Sequence, residues 1–435
     1  MNTKTVAVMA AASLLTAGAA GCGGTQGSSA ASTSSGHVNI TFMEAMSSGT
    51  LAPAMEHLTS EFNRTHKNIT VTLEVQASYS TLEAKEQASI AAGNPPTIGQ
   101  AYEDWAATYA KSGAIVPLAS YVHGSNGVSS TYISSMYKGV WKDQFLPGGK
   151  LYMWPFNKSD FVMYYNANRL QQQHLAVPTT WTQFMSVTHS LTSSSHGTWG
   201  FSMDPGTSSS AANGTYLYVA LLRAYGGNLM VNGRVAFASQ AGVRAMNVLK
   251  TMYDNGSMKL GTNYPGQTAL GAEHGAFDLS TIASYYYNNE AIAGKFTMGV
   301  AALPKGPAGE GNVLQGTNIV MFSKATSAER SAAWTFMKWL TEPQQTAYWA
   351  EHTGYLPVTT QANPLMATYF ASHPYQKIAA ESLQYALPAP AEPGWTEGIG
   401  TIATAIQEVL LQNKPVQQVL TQEQAAAQTY VNQGG

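Results

Sequence analysis

The chain has a single cysteine, Cys22, among its 435 residues. One cysteine cannot form an intramolecular disulfide, so the hydrophobic core rather than covalent cross-links must hold the fold together. The roughly 400 residues that follow Cys22 are enough for two domains of ordinary size. Apolar residues make up 44% of the sequence, a share that indicates a globular protein.

Charged residues are also scarce. Asp, Glu, Lys and Arg make up 11% of the sequence, against roughly 25% in typical soluble proteins. The formal net charge is −2, with no basic stripe, which argues against a nucleic-acid partner. Few carboxylates also means few groups that change protonation on acidification. We therefore expect stability to depend only weakly on pH, as suits acidic surroundings.

Beyond the N terminus the sequence contains no long uncharged apolar run. Residues 6–20 form the one such run, after the positive charge of Lys4, and they are too short to span a bilayer as a stable helix. The small residues 19–21 stand directly before Cys22. This run resembles the lipobox of bacterial lipoproteins, with Ala19 at the position where Leu is usual.

We interpret residues 1–21 as a lipoprotein signal peptide and Cys22 as the lipidated N terminus of the mature protein. An ordinary secretory signal cleaved near Ala20 is the alternative. Residues 22–36 are nearly all Gly, Ser, Ala and Thr, which cannot bury apolar surface, so we predict a flexible tether there. The predicted location is therefore extracytoplasmic, on the outer face of the cell membrane, with the lipid as the sole membrane contact.

Beyond the tether, segments with the period of a strand alternate with segments with the period of a helix. Residues 69–75 alternate strictly between apolar and polar side chains, which predicts a strand with one buried face. One face of a predicted helix carries Leu51, Met55, Leu58 and Phe62. Further strands are predicted at residues 40–43, 97–101, 161–165, 296–303 and 319–323. This alternation predicts an α/β fold with mostly parallel sheets.

The sequence contains no strong catalytic or metal-binding motif. It has no G-x-S-x-G and no H-E-x-x-H, and its ten histidines lack metal-ligand spacing. We therefore predict no catalytic residue, no metal and no cofactor. A glycosidase needs only two carboxylates, so a lipid-anchored glycan hydrolase stays open as the alternative to a binding protein. A structural surface lipoprotein is a third reading.

Three stretches resemble the extracellular solute-binding proteins of carbohydrate-type ABC importers. They are the Phe62-Asn63 block that runs on to Ala91-Ala92-Gly93-Asn94-Pro95-Pro96, the Gly113–Leu118 turn, and Met163-Tyr164-Tyr165-Asn166 with Val177-Pro178-Thr179-Thr180-Trp181. The resemblance covers most of the mature chain, from Asn39 to about Val431.

The resemblance implies a periplasmic-binding-protein-like fold, with two lobes around a hinge and a ligand cleft between them. It implies a first lobe of residues 37–159 and 298–342, and a second lobe of residues 160–297 and 343–435. Such a protein works as a monomer that captures a small solute by lobe closure, without chemistry. It then delivers the solute to ABC permease subunits.

Within the family, the sequence is most similar to the sn-glycerol-3-phosphate-binding subgroup. Ligand contacts of that subgroup fall on Tyr79, Glu103, Ser159, Gly316 and Tyr355, with Ser280 or Thr281 near another. Two positions depart from the pattern. Residues 392–400 hold no Arg or Lys where the subgroup has a phosphate-binding Arg, and residues 203–207 hold no aromatic where it has a Trp pair. A neutral sugar or a glycerol phosphodiester therefore fits better than glycerol-3-phosphate itself.

The residues themselves suggest five further ligand-binding candidates. Asp104 stands beside Glu103 after a predicted strand, although acids there also suit a helix N terminus. Asp160 precedes the presumed hinge crossing, Thr317 follows Gly316, and Tyr285 belongs to a run of three tyrosines that can equally be packing surface. Trp395 lies in a Pro/Gly-rich segment, where an aromatic on a loop favours function.

Overall fold

The computed structural model describes residues 36–206 and 212–434, in which strands and helices alternate. The first elements are β1 (Val38–Glu44), α1 (Leu51–Thr65), β2 (Ile69–Val75), α2 (Tyr79–Ala91), β3 (Ile98–Ala101), α3 (Glu103–Lys111), α4 (Ala119–Val122), α5 (Ser130–Ser135), α6 (Lys138–Lys142), β4 (Phe145–Leu146), β5 (Lys150–Leu151) and β6 (Trp154–Pro155). The middle elements are β7 (Ser159–Asn166), α7 (Ala167–Gln172), α8 (Trp181–Ser190), β8 (Trp199–Met203), α9 (Ala212–Ala224), β9 (Met230–Val231), β10 (Arg234–Val235), α10 (Gln240–Asp254), β11 (Met258–Leu260), α11 (Pro265–Gly271), β12 (Gly275–Thr281), α12 (Tyr285–Ile292), β13 (Met298–Ala302) and β14 (Asn312–Gln315). The last elements are β15 (Asn318–Met321), α13 (Ser327–Leu340), α14 (Pro343–Thr353), α15 (Ala367–Ser372), α16 (Pro374–Ser382), β16 (Ala386–Leu387), α17 (Trp395–Leu410) and α18 (Val416–Gly434).

The first large sheet has the strand order β2-β1-β3-β15-β6. The strands β1, β2 and β3 run parallel, whereas β15 is antiparallel to both β3 and β6. The predicted apolar face of α1 is buried against this sheet, with Met55 and Phe62 both at 0% exposure. We call this sheet and the helices packed on it the first lobe.

The second large sheet has the order β11-β8-β12-β7-β14-β16, and β13 also pairs with β7. β7 is antiparallel to each of its partners β12, β13 and β14. Its core contains Phe184, Phe201 and Tyr218, together with apolar residues of α10, α17 and α18. We call this sheet and the helices packed on it the second lobe.

The prediction of two α/β lobes is confirmed, but both sheets mix parallel and antiparallel pairs. Since β13 and β14 pair with β7, the chain returns to the first sheet at β15, later than the predicted residue 298. Periodicity identifies a strand but not the strand with which it pairs. The sequence therefore placed the return to the first lobe, at residue 298, too early in the chain. The other lobe boundaries stay a prediction.

The chain crosses between the lobes at residues 156–158 and 316–317, which lie side by side, and once more between α13 and β16. We call residues 156–158 and 316–317 the hinge segments. The Asn157 side-chain carbonyl accepts hydrogen bonds from Thr317 N at 3.1 Å and Thr317 Oγ1 at 2.6 Å. Gly316 has a φ of +95°, and a Cβ there would lie 1.7 Å from the Asn157 backbone oxygen. Only glycine therefore allows the two segments to approach so closely.

The predicted signal peptide, the predicted lipidation site Cys22 and the predicted tether up to residue 35 lie outside the described residues. Within the described part of the chain, no helix is both long enough and apolar enough to cross a membrane.

Candidate functional site

Several polar and aromatic side chains follow the carboxyl ends of the parallel strands β1, β2 and β3. Tyr79 begins α2 after β2, while Tyr102 and Glu103 follow β3 directly. The Ser78 hydroxyl caps α2 by accepting a hydrogen bond from Thr81 N at 3.2 Å, which orients the start of the helix. Because carboxyl ends of parallel strands meet at one edge of a sheet, these side chains gather where open α/β sheets bind ligands.

We call Tyr79, Tyr102 and Tyr355 the tyrosine cluster. The hydroxyls of Tyr79 and Tyr355 are 3.4 Å apart, and Asn157 Nδ2 donates to Tyr79 Oη at 2.8 Å. The rings of Tyr79 and Tyr102 meet edge to face, with centroids 5.4 Å apart. Burial raises the pKa of all three phenols, so they stay neutral at physiological pH. Neutral phenols can both donate to and accept from ligand hydroxyls.

A buried charge cluster adjoins the tyrosine cluster. Lys158 Nζ is 2.6 Å from Asp143 Oδ2, and both side chains are fully buried. Lys158 also donates to the Gly316 carbonyl at 3.1 Å, so this ion pair is built into the hinge segments. Lys158 is thus engaged within the protein and does not offer a free charge to a ligand.

Glu103 completes this charge cluster. Burial, together with the negative charge of Asp143 and a hydrogen bond to it, raises the pKa of Glu103 well above its ordinary value. Asp143 Oδ1 is buried and has no hydrogen-bond partner in the described structure. A protonated Glu103 that donates to Asp143 accounts for both observations. Burial and the negative charge of Asp143 therefore favour the neutral form of Glu103 at this site.

The second lobe contributes Tyr216 and Arg223, which lie two turns apart on α9. Tyr216 is close enough to Glu103 and Asp104 for their charges to raise its pKa, although burial contributes more. Gln315 at the end of β14 lies beside Tyr216. Side chains from both lobes therefore meet at the edge formed by β1, β2 and β3.

A hydrogen bond between the lobes closes one side of this site. The Thr396 hydroxyl, in the first turn of α17, donates to the carboxylate of Asp104 in the first turn of α3. Glu83 and Glu397 lie near that carboxylate. Burial and the negative charges of Asp104 and Glu397 raise the pKa of Glu83 to about 7. This side of the site is therefore acidic.

Of the predicted ligand-binding residues, the structure brings Tyr79, Glu103, Asp104 and Tyr355 together at this site. Gly316 and Thr317 belong to the hinge segments, and Ser159 is buried directly after them, at the start of β7. Their contact with a ligand stays a prediction.

The contacts of the other candidates lie within the structure of the second lobe. Asp160 is fully buried and accepts from Asn312 Nδ2 at 3.2 Å. The Ser280 hydroxyl donates to Asp278 at 2.6 Å, and the Thr281 carbonyl accepts from the Tyr164 hydroxyl at 2.8 Å. The ring of Tyr285 stacks on Tyr375 at 3.6 Å.

Trp395 is not the loop aromatic that the sequence suggested. It is the first residue of α17, and its side chain is 1% exposed among core residues of the second lobe. Gly394, with a φ of +83°, turns the Pro-rich segment into the helix immediately before it. The Pro/Gly composition therefore ends one residue before Trp395, which packs as a core residue.

Sequence reasoning did not select Tyr102, Tyr216, Gln315 or Arg223. Tyr102 stands directly before Glu103 at the end of a predicted strand, so its position was a usable signal. Tyr216 and Arg223 are seven residues apart and share a helix face. Nothing in the sequence showed that this face meets the first lobe.

Residues 57–377 match the family model described as bacterial extracellular solute-binding protein. The chain belongs to the bacterial extracellular solute-binding protein family. The predicted family resemblance is thereby confirmed. Membership also confirms that this is a binding protein and not an enzyme.

This solute-binding protein is similar to curated relatives over most of its length. It is 27% identical over 399 residues to the sn-glycerol-3-phosphate-binding periplasmic protein UgpB of Pectobacterium atrosepticum, covering 86% of this chain and 85% of that protein. It is 25% identical to the UgpB of Salmonella typhimurium, covering 83% of this chain and 84% of that protein. These relatives support the predicted subgroup.

Solved structures of the same fold include sugar-binding proteins. UgpB from Mycobacterium tuberculosis, in complex with glycerophosphocholine, superposes with a TM-score of 0.77 at 20% identity, covering 91% of this chain and 98% of that one. The cyclic α-maltosyl-1,6-maltose-binding protein of Arthrobacter globiformis superposes with a TM-score of 0.80 at 20% identity, covering 92% and 100%. These likenesses establish the two-lobe fold of the protein.

Proposed function

We propose that this protein captures a small hydroxylated solute between its lobes and delivers it unchanged to an ABC permease. The solute class is a sugar, an oligosaccharide or a glycerol-phosphate-type compound. One observation carries the proposal: Tyr102 of the tyrosine cluster, from the first lobe, and Tyr216 of the second lobe lie around the same two acids, Glu103 and Asp104. A solute held there contacts both lobes at once.

The chemistry of these side chains suits a polyol. Aromatic rings cover the C–H faces of sugars or glycerol, while phenols and amides exchange hydrogen bonds with hydroxyl groups. The acids Glu83, Asp104 and Glu397 on one side disfavour a doubly charged phosphate. The relatives named for sn-glycerol-3-phosphate and the neighbour holding glycerophosphocholine support the glycerol-phosphate class. The sugar-binding neighbours support the sugar class.

Lobe closure is the proposed capture step. The hinge segments are tied together by Asn157, Thr317 and Lys158, so the lobes move about a narrow, well-bonded strip. A ligand that contacts both sides of the cleft binds the closed state more tightly than the open state. This difference in binding free energy is what favours closure. The permease is proposed to bind this closed form.

The proposed position of the protein is the outer face of the cell membrane, anchored through a lipid on Cys22. The support is in the sequence: a lone cysteine after small residues, followed by a Gly/Ser-rich tether. Mass spectrometry of membrane-extracted protein should find a diacylglyceryl group on Cys22 at the N terminus. A soluble form that begins at another residue would contradict the anchor.

Purified protein that lacks the tether tests the binding function. Maltose, sn-glycerol-3-phosphate and sn-glycero-3-phosphocholine are added in turn and the thermal midpoint is recorded. A ligand at a hundred times its Kd should stabilise the fold by about 2.7 kcal/mol. The bound compound should be recovered intact, and X-ray scattering should show a smaller radius of gyration. Absence of any shift across a wide panel of such solutes, or consumption of the ligand, would overturn the proposal.

A further inference from the structure

Arg223 is held in place by the backbone of the second lobe. Its Nη1 donates to the carbonyls of Asn312 at 2.8 Å and Leu387 at 2.7 Å, and its Nη2 donates to the carbonyl of Pro388 at 2.8 Å. Burial lowers the pKa of Arg223 to about 10, so the side chain is still charged at neutral pH. These bonds orient a positive charge at the C-terminal end of α9.

One edge of the Arg223 guanidinium has no partner. A guanidinium has five N–H donors in a rigid plane, and the three carbonyls use three of them. The Nε atom is buried and makes no hydrogen bond in the described structure. The second N–H of Nη2 is the other donor left over, and Nε and Nη2 share an edge that matches the paired oxygens of a carboxylate or phosphate.

This arginine lines a cavity of about 350 Å³ between the lobes. Glu103 and Asp143 line it from the first lobe, and the segment Leu387–Glu392 lines it from the second. The volume is in the range of small-molecule sites. A buried donor without a partner is costly, so a small shift of Arg223 that turns its Nε edge toward a ligand in the cavity would be favoured.

The charges around the cavity limit what the ligand can carry. Burial and the charge of Asp143 favour the neutral form of Glu103, and Asp143 is paired with Lys158. Glu392 is half-buried and burial raises its pKa, while the other lysine of the lining, Lys142, is exposed. Arg223 is therefore the cation that the walls of the cavity hold in place. A single fixed positive charge with acids beside it suits a ligand that carries one negative charge.

We propose that the Nε–Nη2 edge of Arg223 binds a singly charged anionic group of the solute, a phosphodiester or a carboxylate. In this role Arg223 sets a preference for monoanionic over neutral and dianionic solutes. The inference rests on the proposed solute-binding function and specifies its ligand class. It also explains how a glycerol phosphodiester can be held although residues 392–400 contain no Arg or Lys.

Isothermal titration of wild type, Arg223→Lys and Arg223→Met tests this. The probes are sn-glycero-3-phosphocholine for a phosphodiester, glucuronate for a carboxylate, sn-glycerol-3-phosphate for a dianion and maltose for a neutral sugar. Lysine keeps the charge but loses the paired donors, whereas methionine loses both. Arg244→Lys is the matched control, because Arg244 is exposed on α10 of the same lobe.

We expect wild type to bind one of the two monoanions most tightly. Arg223→Lys should lower the affinity for that monoanion by about ten- to a hundredfold, the range expected for loss of a charge-assisted hydrogen bond. The loss should be larger for Arg223→Met, and Arg244→Lys should match wild type. The two monoanion arms tell phosphodiester from carboxylate. Thermal midpoints identify any variant that fails to fold, and the lysine variant then carries the test.

Three results would overturn the role of Arg223. The first is wild-type affinity for monoanions in Arg223→Lys. The second is an equal loss for charged and neutral probes in both variants, which is what a purely structural arginine would produce. The third is wild-type preference for maltose, which would leave the proposed solute-binding function intact. If no solute of any charge binds the wild-type protein, the proposed function fails and this inference fails with it.

Discussion

Replacing Lys158 by methionine should destabilise the protein strongly. The substitution keeps an apolar side chain of similar length but removes the ammonium that lies 2.6 Å from Asp143 and 3.1 Å from the Gly316 carbonyl. Asp143 keeps a hydrogen bond from Asn318 Nδ2 at 2.8 Å but loses its counter-charge in a site of 0% exposure. Breaking one side of a buried ion pair costs about 3–5 kcal/mol, because the remaining charge stays desolvated.

Urea unfolding followed by tryptophan fluorescence measures this loss. The matched control is Lys377→Met, whose ion pair with Glu381 is 3.8 Å long and whose partners are 60% and 64% exposed. Such a surface pair contributes about 0–1 kcal/mol. A second variant, Asp143→Asn with Lys158→Met, removes the stranded charge and should recover part of the loss. If Lys158→Met costs no more than Lys377→Met, the buried charge cluster does not stabilise the hinge.

Three further substitutions test the site and the hinge. The pKa of Glu103 is raised in the folded state, so folding takes up a proton and stability should fall as the pH rises above the ordinary carboxyl range. In thermal melts between pH 4.5 and pH 8, Glu103→Gln should show a smaller loss of stability with rising pH. Tyr79→Phe removes the hydroxyl bonded within the tyrosine cluster and should weaken solute binding by about tenfold in titrations, whereas the exposed control Tyr430→Phe should not. Gly316→Ala should destabilise the fold more than Gly148→Ala in urea unfolding. Both glycines have a positive φ, but only at position 316 would the added Cβ lie against a neighbouring backbone oxygen. Equal losses of stability would refute the close approach of the hinge segments.

The described acids also refine the expected response to pH. The small number of charged residues predicts that stability depends only weakly on pH. Burial raises the pKa of Glu83, Glu86 and Asp160 as well as that of Glu103. A carboxyl whose folded pKa is raised favours folding more as the pH falls toward its ordinary range. Thermal stability should therefore hold or increase from pH 7 to about pH 5, and a steep decrease over that interval would contradict both the composition and the structure.

The structure brings together candidates that the sequence placed at strand ends, and their contact with a ligand stays a prediction. Tyr79, Glu103 and Asp104 stand just after predicted strands, and the parallel order of β1, β2 and β3 brings them to one edge. Prediction failed at Trp395, because the composition of a loop does not reveal that a helix begins at its last aromatic. It passed over Arg223, because a lone arginine on a helix normally faces solvent.

The sequence by itself determined the alternation of strands and helices, because periodicity is a local property of the chain. Its motifs carried the resemblance that implies the family and the two lobes. The tertiary structure alone decided which of two cations, Lys158 or Arg223, keeps hydrogen-bond donors without a partner among the described residues. Lys158 is neutralised by Asp143 and the Gly316 carbonyl, the latter 158 positions away along the chain. Arg223 is oriented by carbonyls 89 to 165 residues away, and those bonds leave one edge open. Pairings between such distant residues arise only when the sheets assemble, because no local pattern records them.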